Sequence, residues 1–417
     1  MSTKSQKSNK INTQKMVVSL DIGKGSHFGY FRAPGGEEDG PFEVTNSRSG
    51  FHQFWKRLCR FKQAHRLSQV IVGFESTGPY AEPLMHFLRQ KPVQLVQINP
   101  MHSKRVKELT GNSPNKTDRK DPRGIADVMM LGHSLSVVIP QGAAAELRRL
   151  TQARERAIKE RTAMLNQLQH LVVIIFPEFL KVIKAASCKT GLYLLKRCPS
   201  PKAVLALGLE ELSRDMKRVS RGRLEHQRAA ELFRAARDSI GVTEGRRSMA
   251  EEIGHLVDQI ERVNAFTDRL ERRMRLYLDE IPYSPFFLSM RGIGLITVAG
   301  LIGEVGDFRQ FDTLSEITKL AGLDLFEVSS GQHKGRRRIS KRGRALMRKL
   351  LFFAAINTVK TNGIMHAPYA RMVGGGMPKI KALVAISRKL LAVMFALARD
   401  GSNYIEGYRN HRYQQAA

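Results

Sequence analysis

The sequence predicts an α/β domain over residues 16–132, followed by a mainly helical region that continues to about residue 400. In the first part, short β-branched and aromatic runs alternate with helix-compatible segments, as in strands separated by helices. Helix formers dominate after residue 141, and strand-like sequence returns only near residue 325. The predicted fold class is therefore α/β plus α, in more than one domain.

The predicted strands of the first domain follow one another in a clear order. A strand that starts at Met16, a Gly-rich turn and a second strand that ends near Tyr30 predict a β-hairpin whose first strand ends in an acid. Two further apolar runs, at 69–75 and 92–98, are separated by helix-compatible sequence. Residues 1–15 are polar and are predicted to form a disordered basic tail.

The middle of the chain, residues 141–281, is predicted to be a helical linker that contains a coiled coil. Apolar residues alternate there at steps of four and three, which is a heptad seam. Its members are Met249, Ile253, Leu256, Ile260, Val263, Thr267, Leu270, Met274, Tyr277 and Ile281. An earlier apolar stripe, between Leu147 and Ile175, suits either an antiparallel partner within the chain or a second subunit, and the sequence leaves both open.

The charge of the chain indicates a nucleic acid partner. The 417 residues include 69 Lys and Arg but only 38 Asp and Glu, which gives a formal charge of +31. Such an excess repels itself unless a polyanion neutralises it. An anionic membrane surface or a ribosomal-type structural role would also explain an excess of cations. In this chain, however, the basic residues are interleaved with apolar-periodic segments rather than confined to a tail, which favours a nucleic acid partner.

The chain carries no cysteine pattern typical of a disulfide framework or a zinc site. Its three cysteines are far apart: Cys59, Cys188 and Cys198. The most apolar late stretch, residues 382–398, is interrupted by Arg388 and Lys389, which predicts a packed helix rather than a membrane span. We therefore expect a cytoplasmic protein.

Four acidic residues form the first candidate site. Asp21 and Glu75 end two predicted strands, and Asp118 and Asp121 stand three residues apart, on one face of a predicted helix. Each one alone is explained as a turn former or a helix cap. Asp127 lies off the face of Asp121 and is predicted to be surface charge.

Four converging carboxylates in so basic a protein suit hard divalent cations, Mg²⁺ or Mn²⁺, because these ions prefer oxygen ligands and can bridge a protein to phosphate. Two such ions would activate an attacking oxygen and stabilise a leaving one. The predicted reaction class is phosphodiester chemistry.

A serine followed by a basic loop forms the second candidate site. Ser330 precedes Gly331 in a predicted turn, and six cations follow within nine positions: Lys334, Arg336, Arg337, Arg338, Lys341 and Arg342. Guanidinium groups would stabilise charge on a phosphate attacked by the serine. The plain alternative is that Ser329 and Ser330 are ordinary turn residues beside a phosphate-binding patch. Ser340 is predicted to cap the helix that follows.

A glycine-containing turn within the C-terminal domain, residues 282–400, is a further candidate for DNA binding. Gly292 and Gly294 are predicted to lie in a tight turn between two helices, where backbone amides can approach phosphates as in helix-hairpin-helix proteins. A purely structural turn explains this motif almost as well. Residues 401–417 are predicted to be a C-terminal tail.

Six segments, in this order, resemble the DEDD transposases of bacterial insertion sequences, a family that includes the Piv site-specific invertases and the bridge-RNA-guided recombinases. They are VVSLDIGKG, VGFESTGPY, NKTDRKDPRGIAD, MRGIGLITVAGLIGEVGDFRQF, LAGLDLFEVSSG and GRRRISKRG. The resemblance covers about residues 16–360. In place of the usual Asp-Ala after the last acid, this chain has Asp121-Pro122.

The resemblance implies a RuvC-like RNase H fold with Asp21, Glu75, Asp118 and Asp121 as metal ligands. It also implies a coiled-coil linker and a mainly helical transposase domain whose nucleophile matches Ser330. Implied partners are double-stranded DNA, a noncoding bridge RNA from the element, and further copies of the chain, as dimers that assemble into a tetramer.

Two other functions suit the same residues. A metal-only nuclease resembling Holliday-junction resolvases would use the carboxylates and only bind DNA with its C-terminal domain. An architectural nucleic-acid-binding protein would use its charge to neutralise phosphates and its acids for structure alone. Within the family, a site-specific DNA invertase is the alternative to a transposase.

Overall fold

The computed structural model of the chain describes residues 14–75, 78–110, 121–132, 134–224, 226–327, 335 and 337–407. These residues form two compact units that divide after Ile139. The first unit is mixed α/β and the second is mainly helical. Among the described residues, no helix is long and apolar enough to cross a membrane.

The first unit is built on a mixed sheet of six strands. They are β1 (Lys15–Ile22), β2 (Ser26–Arg32), β3 (Glu38–Thr45), β4 (Gln69–Glu75), β5 (Gln94–Ile98) and the two-residue β6 (Leu135–Ser136). Their order across the sheet is β3-β2-β1-β4-β5-β6. Strand β1 pairs antiparallel with β2 and parallel with β4, and β4 pairs parallel with β5. This architecture is compatible with an RNase H-like domain and confirms the predicted hairpin.

Strand β3 is a strand that the sequence did not predict. Its residues EDGPFEVT include three acids, a glycine and a proline, all of them depleted in strands. The strand forms because it pairs with β2 at the edge of the sheet, where tertiary pairing outweighs local preference.

Helices cover both faces of the sheet. They are α1 (Arg48–Ala64), α2 (Glu82–Arg89), α3 (Pro100–Thr110) and α4 (Asp121–Met130). On one face, Val18, Leu20 and Phe74 belong to a core that includes Leu58 of α1 and Leu84 of α2. On the other face, apolar residues of β1, β4 and β5 pack against α4. The strand residues are Val17, Ile71, Val96 and Ile98, and the helix residues are Ile125, Ala126, Val128 and Met129.

The second unit contains thirteen described helices and one short hairpin. The helices are α5 (Gly142–Ile175), α6 (Phe179–Val182), α7 (Lys189–Arg197), α8 (Pro201–Leu207), α9 (Leu209–Ser220), α10 (His226–Arg237), α11 (Arg246–Asp279), α12 (Ser284–Leu288), α13 (Leu295–Val305), α14 (Leu314–Ala321), α15 (Ala345–Thr358), α16 (His366–Gly374) and α17 (Lys379–Asp400). The hairpin strands are β7 (Leu325–Phe326) and β8 (Arg338–Ile339).

Helices α5 and α11, of 34 residues each, pack antiparallel within one chain. The start of α5 and the end of α11 share a core with α12–α17, whereas the opposite ends share a separate core with α6–α10. Arg154 Nε lies 2.7 Å from Glu271 Oε1, and Arg161 Nε donates to Asn264 Oδ1 over 2.6 Å, which fixes the register between them. The earlier apolar stripe is therefore the partner of the heptad seam within the chain.

Candidate active site

The sheet places Asp21 and Glu75 side by side. The parallel register pairs Leu20 of β1 with Phe74 of β4, so the next residues of the two strands are neighbours at the carboxyl end of the pair. Side chains alternate between faces along a strand, and Leu20 and Phe74 enter the core on the α1 face. Both carboxylates therefore lie on the α4 face, on strands about 4.8 Å apart. Each is partly exposed.

Helix α4 is held against this face by two close contacts. The buried Ser19 hydroxyl, two residues before Asp21 on β1, donates a hydrogen bond of 2.6 Å to the carbonyl of Pro122 in the first turn of the helix. At the other end, Gly73 faces Met129 so closely that a Cβ there would lie 2.3 Å from the Met129 sulfur. The helix therefore begins at the sheet edge that carries the two acids.

A polar network on the α4 face fixes the helix further. Arg123 bonds to Glu38 and donates to the hydroxyl of Tyr30 over 3.3 Å, while Arg32 lies 2.6 Å from Asp127. Hydrogen bonding to Tyr30, and then to Arg123, lowers the pKa of Glu38 to about 2. Asp127, predicted to be surface charge, is instead an ion-pair partner that ties α4 to β2.

The other two predicted ligands are only partly visible. Helix α4 begins at Asp121, so the backbone of Asp121 lies at the sheet edge that carries Asp21 and Glu75. The side chain of Asp121 and the whole of Asp118 lie outside the described residues. Among the side chains that the structure describes, no three His, Cys, Asp or Glu residues are grouped closely enough to hold a metal ion. The described part of the site is thus a pair of carboxylates with the start of α4 beside it.

In the second unit, the hairpin of β7 and β8 holds the basic loop. Leu325 pairs with Ile339, and the loop between the two strands contains Ser330. At the base of the hairpin, the Ser340 hydroxyl donates to the Asp324 carboxylate, and the Ser340 amide donates to the Asp324 carbonyl over 2.9 Å. The prediction that Ser340 caps the next helix is wrong: α15 begins at Ala345, five residues later, and Ser340 instead closes the hairpin.

A partly buried arginine anchors the chain immediately after the hairpin. Arg344 bonds to the carbonyl of Glu304 on α13, and its guanidinium lies 3.5 Å from the Glu304 carboxylate, which is almost fully buried. Burial, and then the nearby Arg148, lower the pKa of Arg344 to about 10. Arg348 adds hydrogen bonds of 3.0 Å to the carbonyls of Ala321 and Gly343.

The described cations of the loop are exposed. Arg337 lies 2.9 Å from Glu327 across the hairpin, whereas Arg338, Lys341 and Arg342 make no ion pair with a carboxylate of the described chain. The other predicted members of this site lie outside the described residues: Ser329, Ser330, Lys334 and Arg336. The structure thus defines the base of the loop and three cations available to a polyanion.

The predicted glycine turn lies between α12 and α13. Gly292 has a φ of +93°, a conformation that disfavours other residues, and Gly294 precedes the first residue of α13. Both glycines are exposed, while Ile293 between them is buried. The turn therefore presents backbone, rather than side chains, to solvent.

Sequence reasoning missed the residues that position these sites: Ser19, Arg123, Asp324 and Arg344. Ser19 had a visible signal, because it is a small polar residue in an apolar strand and shares its face with Asp21. The two arginines gave no such signal among so many cations.

Comparison with known proteins places both regions in transposases. A model of the IS110-type DEDD transposases matches residues 18–177, and a model of the IS116/IS110/IS902 transposase family matches residues 284–370. The four acids fall within the first match and Ser330 within the second.

Relatives align over most of their length. The uncharacterised 43.6 kDa protein of insertion element IS110 from Streptomyces coelicolor is 24% identical, over 93% of this chain and 95% of its own. The corresponding 44.8 kDa protein of IS116 from Streptomyces clavuligerus is 23% identical over the same shares. A transposase for insertion sequence element IS1111A from Coxiella burnetii is 25% identical over 75% of this chain and 73% of its own. The chain therefore belongs to the IS110 family of DEDD transposases, enzymes of DNA transposition.

Proposed function

We propose that this transposase cuts and rejoins the DNA of an insertion sequence by serine attack, assisted by a divalent-metal site. Asp21, Glu75, Asp118 and Asp121 would hold Mg²⁺ or Mn²⁺, and Ser330 would be the nucleophile. The observation that carries the proposal is the register that sets Asp21 beside Glu75, with the start of α4 at the same edge.

The donor set suits hard cations. Carboxylate oxygens are the ligands that Mg²⁺ and Mn²⁺ prefer, and neighbouring strands bring two of them together without any long loop. Asp121 stands at the first residue of a helix that Ser19 ties to the same strand as Asp21. When bound, such ions would neutralise the charge that develops on phosphate oxygens.

The serine step follows ordinary nucleophilic chemistry. The Ser330 hydroxyl gives up its proton, its oxygen forms a bond to phosphorus, and the bond from phosphorus to one deoxyribose oxygen breaks. That oxygen leaves with a proton, and a covalent phosphoserine link to DNA remains. Rejoining reverses these steps with the deoxyribose oxygen of another strand. Arg338, Lys341 and Arg342 would bind the phosphates of that DNA.

The same proposal names partners. Double-stranded DNA would contact the basic loop and the turn of Gly292 and Gly294, and a bridge RNA encoded by the element would select donor and target. The antiparallel pair α5 and α11 would be the coiled-coil linker of a dimer that assembles into a tetramer. The site of action would be the cytoplasm, at the nucleoid.

The test is recombination in cells between a plasmid that carries the joined element ends and a target plasmid. The proteins compared are wild type, Ser330→Ala, Asp121→Ala and, as a matched control one residue away, Ser329→Ala. Ser330→Ala and Asp121→Ala should abolish joined products, and Ser329→Ala should not. A protein–DNA adduct that survives denaturing electrophoresis should form with wild type and not with Ser330→Ala.

Normal recombination by Ser330→Ala would remove the serine from the mechanism and favour the metal-only nuclease. Normal recombination by Asp121→Ala would instead remove that carboxylate from the metal site. A site-specific invertase would give inverted rather than inserted products with the same dependence on both residues.

A further inference from the structure

We propose that helix α9 and the turn after it form a second DNA-binding surface, which contacts the phosphate backbone of a duplex. This surface lies between residues 177 and 284, outside both segments that match the family models. It therefore goes beyond the proposed active site and does not depend on the identity of the nucleophile.

One face of α9 carries a stripe of cations. Arg214 and Lys217 lie three residues apart on one side of α9, Arg221 is the residue that caps the end of the helix, and all three are exposed. On the opposite side, Leu212 and Met216 are fully buried. None of the three cations forms an ion pair with a carboxylate of the described chain.

Beside the stripe, a nearly buried carboxylate fixes two arginines. Asp215, whose side chain is 8% exposed, lies 2.9 Å from Arg197 Nε and 2.7 Å from a terminal nitrogen of Arg218. Arg218 also donates to the hydroxyl of Tyr193 over 2.7 Å, yet 65% of its side chain faces solvent. Its remaining donors are thus held in one orientation, which lowers the entropy lost when they bind a phosphate.

The turn between α9 and α10 extends the basic surface. Arg221 adopts a left-handed conformation with φ of 56°, and Gly222 follows with φ of 80°. This conformation ends α9, because the Arg221 amide donates to the carbonyl of Arg218 and the Gly222 amide donates to the carbonyl of Lys217. The exposed Arg223 lies in the same turn.

The Asp215 contacts alone are explained by packing between α7 and α9. That explanation does not account for the three exposed cations, which form no ion pair with any carboxylate that the structure describes. Duplex DNA does, because this transposase acts on DNA and a 12-residue helix spans about 18 Å, the length of about five base pairs.

The test compares two full-length triple variants that lose the same formal charge. The test variant is Arg214→Gln, Lys217→Gln, Arg221→Gln. The control is Lys196→Gln, Arg228→Gln, Arg309→Gln, in which each cation lies within 3.0 Å of a carboxylate. The measurement is fluorescence anisotropy with a labelled random-sequence DNA duplex, over a salt series, with circular dichroism to verify folding.

The slope of log binding constant against log salt should fall in magnitude by about 2.7 in the test variant, because each lost phosphate contact removes about 0.9. The control should keep a slope near that of wild type. Equal slopes in the two triple variants would overturn the proposal, as would a loss confined to an RNA hairpin of the same length. Ser330→Ala should retain the full slope, so failure of the proposed nucleophile is distinguished from failure of this surface.

Discussion

The acidic pair of the first unit and the basic hairpin of the second are held in place by different means. Asp21 and Glu75 lie at the carboxyl ends of adjacent parallel strands, so main-chain register sets their spacing and apolar packing holds the strands. The hairpin has only two short strands, and polar contacts of Asp324 and Arg344 fix its base. In the sheet, main-chain pairing therefore sets the spacing of the two acids, whereas side-chain contacts fix the base of the short hairpin.

The largest expected effect comes from removing a strand-end acid. Asp21→Asn keeps the size of the side chain but removes its charge, so plasmid recombination should fall more than about 100-fold, as when a group that stabilises transition-state charge is lost. The thermal midpoint should change little. Asp39→Asn, an acid of the same unit that pairs with Arg57, should recombine normally. Normal recombination by Asp21→Asn would show that the Asp21 carboxylate is not needed for catalysis.

The next effect tests the buried charge beneath the hairpin. Arg344→Met leaves the Glu304 carboxylate, whose side chain is 6% exposed, without its cation and should destabilise the second unit by about 3–5 kcal/mol. Urea denaturation of the full chain would measure this. The double variant with Glu304→Gln should recover part of the loss. An unchanged midpoint for Arg344→Met would mean that the ion pair does not anchor the hairpin.

A smaller effect tests packing beneath the acids. Gly73→Ala pushes against the buried Met129 and should cost about 1–3 kcal/mol, since an added methyl group strains a filled core. Gly25→Ala is the control, because a Cβ there meets nothing within 4 Å. Equal thermal midpoints for the two variants would show that α4 does not need its close approach to the sheet.

The smallest effect is a pH dependence of the first unit. The pKa of Glu38 falls from 4.5 to about 2 in the folded chain, so its stabilisation is present above pH 4.5 and is lost as the pH falls towards 2. Glu38→Gln should therefore be less stable than wild type at pH 7, by about 1 kcal/mol because Arg123 is well exposed. This difference should shrink by pH 3 in urea denaturation. A difference independent of pH would assign the effect to packing.

Strand-ending acids and helical periodicity were the parts of this molecule that the sequence predicted well. Asp21 and Glu75 follow mainly apolar runs, and the seam from Ile253 to Met274 repeats at steps of three and four, so local pattern and final burial agree. The role of Ser340 was mispredicted because a serine before a helix-forming run is typical of a cap. Only the pairing of β7 with β8, which local pattern does not encode, assigns it to the hairpin.

Contacts between residues that are distant in the sequence could not be predicted either. Asp127 looked like surface charge because Arg32, its partner, is 95 residues away in the sequence. Nothing in either segment identifies that pairing among 69 Lys and Arg residues. Strand β3 was missed because its composition is unfavourable and only its neighbour β2 stabilises it.

The antiparallel helices α5 and α11 also set the distance between the two cores of the second unit. Each has 34 residues, so the pair extends about 50 Å, with the core of α12–α17 at one end and that of α6–α10 at the other. That length corresponds to about fifteen base pairs of duplex. Because Arg154 pairs with Glu271 and Arg161 with Asn264, a length change in one helix alone would break the register. A change of this spacing that keeps both contacts therefore requires matched insertions or deletions in the two helices.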